Sequence, residues 1–112
     1  MRIAIVGSRG FADESGVRRY IHTLPSSTTI ISGGAKGVDS WAASEATKLG
    51  FRVVEFLPEW DKYGKKAGFK RNTDIVEAAE MVVAFWDGKS NGTRDSIDKA
   101  LRSKTAVLVI FE

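Results

Sequence analysis

Apolar residues in this chain fall into short unbroken runs, and between the runs they recur at helical spacing. Positions 3–6, 81–86 and 106–111 carry such runs, 28–31 is β-branched throughout, and 53–57 is apolar except at Glu55. Unbroken apolar runs of this length suit parallel strands covered on both faces, so strands are predicted over 2–6, 28–31, 51–57, 81–86 and 105–111. Val17, Tyr20, Ile21 and Leu24 mark a helix that Asp13 or Ser15 can cap and Pro25 stops. Trp41, Ala42, Ala46 and Leu49 mark a second that ends at Gly50, Ile75, Val76 and Ala79 a third that starts at 67 or 69, and Ile97, Ala100 and Leu101 a fourth over 93–102. Strands that alternate with helices imply right-handed crossovers and an α/β fold: a five-stranded parallel sheet with helices on both faces, in the order 3-2-1-4-5.

That order places the loops after strands one, two and four on one edge of the sheet, where ligands of such folds bind. All three loops are rich in small residues, and each carries a cation. They are Gly7-Ser8-Arg9-Gly10, Ser32-Gly33-Gly34-Ala35-Lys36-Gly37-Val38-Asp39 and Ser90-Asn91-Gly92-Thr93-Arg94-Asp95. Glycine turns let backbone N–H groups approach a ligand, and helix starts add partial positive charge, so the three loops together make an anion pocket. The ligand-binding candidates are Gly7, Ser8, Arg9, Ser32, Gly33, Gly34, Lys36, Gly37, Asp39, Arg71, Asn72, Asn91, Gly92, Thr93 and Arg94. Asp39 is placed either to cap the following helix or to accept from a ligand hydroxyl. The first loop lacks the Gly-x-Gly-x-x-Gly of a dinucleotide site, and no Gly-Lys-Ser/Thr is present for a P-loop.

Composition narrows the chemistry. The chain has 112 residues, 43% of them hydrophobic, which is read as one domain over 1–112. It has no cysteine and one histidine, His22, so thiolate and multi-histidine metal sites are excluded, and no metal or cofactor is expected. His22 is read as a surface residue. No run is long enough for a membrane span and no signal-peptide pattern opens the chain, so a cytoplasmic protein is expected. The formal charge is only +3, yet Lys62, Lys65, Lys66, Lys70 and Arg71 crowd one segment that also holds Trp60 and Tyr63. Residues 59–68 read as a lid over the pocket or a packed surface loop, and their lysines and aromatics would also suit single-stranded nucleic acid.

Gly7-Ser8-Arg9, the 32–39 block, Pro58 with Trp60, Tyr63-Gly64, Ala67-Gly68, Arg71-Asn72, and Gly92-Thr93-Arg94-Asp95 together resemble the SLOG superfamily, specifically its small YspA-type branch. The resemblance covers nearly the whole chain and implies a Rossmann-like three-layer α/β/α domain. It also implies a nucleotide or nucleotide-derived ligand, with a role as sensor, sequestering or accessory protein, and a homodimer as the assembly. Lonely Guy phosphoribohydrolases in the same superfamily cleave an N-glycosidic bond with a glutamate and an arginine. Here Gly92-Thr93 matches their motif, Ser96 stands at the glutamate position, and Arg71 can stand for the arginine, so catalytic roles for Arg71 and Asp39 hold only on a hydrolase reading. The DNA-processing protein A family, also in the superfamily, points to single-stranded nucleic acid as the other alternative.

Overall fold

In the computed structural model, which describes residues 1–111, the first strand β1 (Arg2–Gly7) shows why its apolar run is continuous. Side chains alternate across a strand, so Ile3 and Ile5 enter one apolar layer and Ala4 and Val6 the other. Helices α1 (Glu14–His22) and α2 (Val38–Lys48) cover the first layer, with Val17, Ile21, Ala42 and Ala46 fully buried. Helices α4 (Ala67–Ala78) and α5 (Asn91–Arg102) cover the second through Ile75, Val76, Ile97 and Ala100. Strands β2 (Thr29–Ser32), β3 (Arg52–Glu55), β4 (Met81–Trp86) and β5 (Ala106–Phe111) complete a parallel sheet in the order β3-β2-β1-β4-β5. This is the three-layer Rossmann-like architecture and strand order read from the sequence.

Several local expectations change. The third strand ends at Glu55, with Phe56 N donating to Ser32 O (2.9 Å) as its last sheet contact, and Pro58, which has no N–H, follows. Leu57 is therefore 63% exposed. Residues 59–68 fold into a one-turn helix α3 (Trp60–Tyr63), a 3-10 turn (Gly64–Lys66) and the start of α4. Leu49 sits at the C-terminal cap of α2, past the layer that helix covers, and Leu101 lies on the outer flank of α5 at the sheet edge, so both are exposed. The last strand is covered only in part: Leu108 and Phe111 are exposed, because β5 has no neighbour on its outer side. Asp13 does cap α1, accepting from Gly16 N (2.9 Å). Asp39 does not cap α2; Gly37 occupies that position with φ +83°, and Asp39 lies in the first turn. No described helix is long and apolar enough to cross a membrane.

Gly7 ends β1 against α2 so closely that a Cβ there would lie 2.6 Å from the Val38 side chain, whereas one at Gly10 meets nothing. Gly7→Ala should therefore cost about 1–3 kcal/mol by forcing α2 off the sheet, and Gly10→Ala should be nearly neutral. Urea unfolding followed by tryptophan fluorescence compares the two.

Candidate functional site

Strands β1 and β4 are neighbours, with Gly7 level with Phe85, but the chain leaves them in opposite directions, β1 toward β2 and β4 toward β5. The loops that follow diverge and leave a cleft at the carboxyl edge of the sheet, the switch point of this fold type. The cleft has an inner chamber of about 350 Å³ between the β1 loop and the start of α5, and an outer chamber of about 410 Å³ between the 33–36 turn and the 57–60 segment. Arg9, Ala35 and Arg71 line both.

Small polar residues predicted as ligand contacts mostly build the walls. Ser8 is buried: its amide donates to Phe85 O (3.0 Å) and its Oγ accepts from Asp87 N (3.2 Å), tying the β1 loop to the β4 loop. Ser32 is buried too, accepting from Gly34 N (3.2 Å) and donating to Asp39 O (3.3 Å). Asn72 joins α4 to α5 by donating to Gly92 O and to Asp95 Oδ2, both at 3.2 Å. Arg71 connects this clip to the glycine turn, donating from Nε to Asn72 Oδ1 (3.0 Å) and from Nη1 to Gly33 O. A Cβ at Gly33 would meet Arg71 Nη1 at 2.6 Å and Asp39 Oδ2 at 2.9 Å, so any larger residue would displace those two side chains.

Asp39 is 5% exposed and lines the inner chamber. Burial pushes its carboxyl up to about 6, opposed by the Ala35 amide, which donates to Oδ2 (3.4 Å), by the nearby charge of Arg71 and by the backbone amides of Gly33 and Gly7. Burial also lowers the Arg71 pKa; the Asp39 charge opposes that shift and the charge of Arg9 adds to it, so two like charges face each other where the chambers meet. Arg9 and Lys36 are exposed and make no hydrogen bond or ion pair among the described residues. The N-caps of α2 and α5, Gly37 and Ser90, supply no side-chain cap to the opening amides of their helices. Thr93 and Asn91 line the inner chamber, with Thr93 Oγ1 accepting from Ser90 Oγ (3.1 Å).

Of the predicted residues, Gly7, Arg9, Asp39, Arg71, Asn72, Asn91, Gly92 and Thr93 line the inner chamber, and Gly33, Gly34 and Lys36 line the outer. Ser8, Ser32 and Gly37 shape the turns. Arg94 lies elsewhere, with its guanidinium over the Trp86 ring, 5.9 Å from the centroid. Sequence reasoning missed Asp87, whose carboxylate accepts from Lys89 N and Ser90 N (2.8 Å each) and whose pKa these amides lower. An aspartate two residues ahead of an acceptor-seeking turn was the available signal. Lys62 and Lys70 gather around Tyr63, 5.2 and 5.8 Å from its ring centroid, and line neither chamber. No group of three or more His, Asp or Glu able to hold a metal occurs among the described residues. His22 lies on the α1 surface beside Glu45 (2.6 Å).

Fold and cleft together define a Rossmann-like domain with a switch-point pocket. Two solved structures share that fold. DNA processing protein A (DprA) from Streptococcus pneumoniae superposes with a TM-score of 0.83 at 21% identity, over 96% of this chain and 49% of that one. DprA from Helicobacter pylori, studied for its single-stranded DNA binding mode, gives 0.77 at 19% identity, over 97% and 64%. The chain thus spans about half the length of the first and 64% of the second. The profile of the YspA, cpYpsA-related SLOG family matches residues 1–63. Gene 61 protein of Mycobacterium phage D29 is 34% identical over 117 residues, 96% of this chain and 94% of that protein. The chain belongs to the YspA, cpYpsA-related SLOG family.

Because the folded pKa of Asp39 lies above its ordinary 3.8, folding favours the protonated acid. Its contribution is full below about pH 4 and falls away as pH rises through about 6, a loss on the order of 2–3 kcal/mol. Asp39→Asn should remove that slope from a series of urea titrations across this range. Asp39→Ala, which does not titrate either, should flatten the same slope and cost most at the acid end, by about 1–3 kcal/mol, where the Ala35 amide loses its acceptor.

Proposed function

We propose that the cleft binds a nucleotide or nucleotide-derived small molecule, and that the protein acts as its sensor, sequestering agent or accessory carrier. The observation that carries this reading is the convergence on one cleft of two partly or wholly unneutralised guanidinium groups, Arg9 and Arg71, with the uncapped start of α5 and the glycine turn before α2. Fixed amides and charge-assisted donors in such an arrangement suit a phosphate, and the chamber sizes suit nucleoside parts. The remaining predicted ligand contacts, Lys36, Asn91, Gly92 and Thr93, surround that position.

The carboxylates favour binding over N-glycosidic cleavage. Asp95 is held by Lys99 Nζ (2.6 Å) and Asn72, Asp87 by two backbone amides, and Asp39 by its own loop amides. Ser96, at the position where the related hydrolases carry glutamate, is buried on the chamber wall. The hydrolase reading asks for a carboxylate free to act as acid or base within reach of the reacting atoms, and these are already committed.

Single-stranded nucleic acid is a second reading, favoured by the likeness to DprA of Helicobacter pylori, which is described as binding single-stranded DNA. We further propose a cytoplasmic homodimer in which the outer edge of β5, six residues without a charge or proline, pairs with a second copy.

Isothermal titration of the purified chain with mononucleotides and ADP-ribose should show saturable binding that Arg9→Ala weakens roughly tenfold or more. Oligonucleotide binding, if it were the main activity, would fall steeply with salt. A chain that binds none of these at low salt refutes the nucleotide reading.

A further inference from the structure

Charge and apolar surface are not distributed in the cleft as a terminal phosphate would require. Besides Arg9 and Arg71, no cation lines the inner chamber, and the acids Asp39 and Asp87 are among its lining residues, so a dianionic phosphate inside it would meet carboxylates without a further cation to offset them. The neutral groups there, Asn91, Thr93 and Ser96, beside the apolar Val6 and Ile75, suit a sugar or a base. Arg9 and Arg71 stand where the two chambers meet, close enough that the charge of Arg9 disfavours that of Arg71. Arg71 is held in place by its bonds to Gly33 O and Asn72, so the positive charge at that waist is fixed.

Beyond the waist, the outer chamber presents Leu57, Pro58 and Trp60 across from Gly33 and Gly34. Leu57 lies over Gly34, where a Cβ would come within 2.4 Å of its Cδ2. Trp60 is 56% exposed, its ring edge near Gly68, and Leu57 is 63% exposed, so two large apolar side chains stand uncovered beside the arginine pair. An aromatic face beside cationic side chains takes a base or another flat ring by stacking. Each chamber lies at the lower end of the volumes that hold small molecules, enough for one nucleoside-like half apiece.

Resting on the nucleotide reading above, we propose that the ligand carries its negative charge in its middle: two nucleoside-like halves joined by a phosphodiester or pyrophosphate. One half occupies the inner chamber, the bridge lies between Arg9 and Arg71, and the other half packs on Trp60 and Leu57. The occupant is a free small molecule of this kind.

Calorimetry on the intact chain with AMP, the dinucleoside monophosphate ApA and ADP-ribose tests the arrangement. ApA or ADP-ribose should bind at least roughly tenfold tighter than AMP. Trp60→Ala, at an exposed position whose fold is checked by its thermal midpoint, should weaken the tighter ligand by roughly tenfold and change AMP by less than about twofold. AMP binding as tight as both, and indifferent to Trp60→Ala, overturns the inference and leaves the nucleotide reading standing. Silence from all three probes brings down that reading and the inference with it. TpT and a short oligothymidylate should bind alike, in keeping with a free ligand; a strand that binds tighter with a steeper salt dependence overturns the small-molecule assignment.

Discussion

One buried carboxylate holds the carboxyl edge of this sheet together. The chain leaves β1 and β2 through glycine-rich bends whose amides turn inward, and inward-facing amides away from water need acceptors. Asp39 sits on the first turn of α2, accepts from Ala35 N (3.4 Å) and lies against the amides of Gly33 and Gly7, which favour its charge. Two loops and a helix are thereby fixed to one side chain. The cost is a charge held in a poorly solvated place, and Arg71 offsets part of it from across the cleft. Arg71 could not hold that position without its own acceptors on Gly33 and Asn72, and Asn72 in turn fastens the start of α5. Cleft and fold are thus the same network viewed from two sides.

Such a network explains why the walls of the cleft are polar and yet closed to solvent. Among the described residues, every buried side-chain nitrogen and oxygen has a partner, so Ser8, Ser32 and Asn72 are spent on structure. What remains free for another molecule is a short set: Arg9, Lys36, the remaining donors of Arg71, and the amides that open α5. Family resemblance and geometry meet at this point. Resemblance names the class of domain, and the free donors say where an anion finds company.

The sheet order was legible because alternation within each apolar run fixes two covered faces, and right-handed crossovers leave few topologies. Ile3 and Ile5 against Ala4 and Val6 illustrate it. The gathering of the glycine turns followed from that order. The division of labour inside the turns was not legible: Ser8 and Arg9 are adjacent in sequence, and only the depth of each in the fold separates a wall from a donor. Helical spacing also misplaced Leu49 and Leu101, because periodicity gives the face of a helix and not how far the neighbouring layer extends beneath it. Arg94 illustrates the same limit, since one residue past Thr93 the helix has already turned its side chain toward Trp86.

The early end of β3 has a wider meaning. From Leu57 to the beginning of α4 the chain is free of the sheet, anchored at its start by the amide and the packed ring of Phe56 and shaped by short turns, yet it forms one whole side of the outer chamber. Lengthening, shortening or rewriting that stretch alters the outer half of the cavity and leaves the arginine waist and the strand register alone. Descendants of one ancestral domain can therefore diverge in the size of the molecule they admit through changes to a few peripheral residues, with the folding core inherited intact.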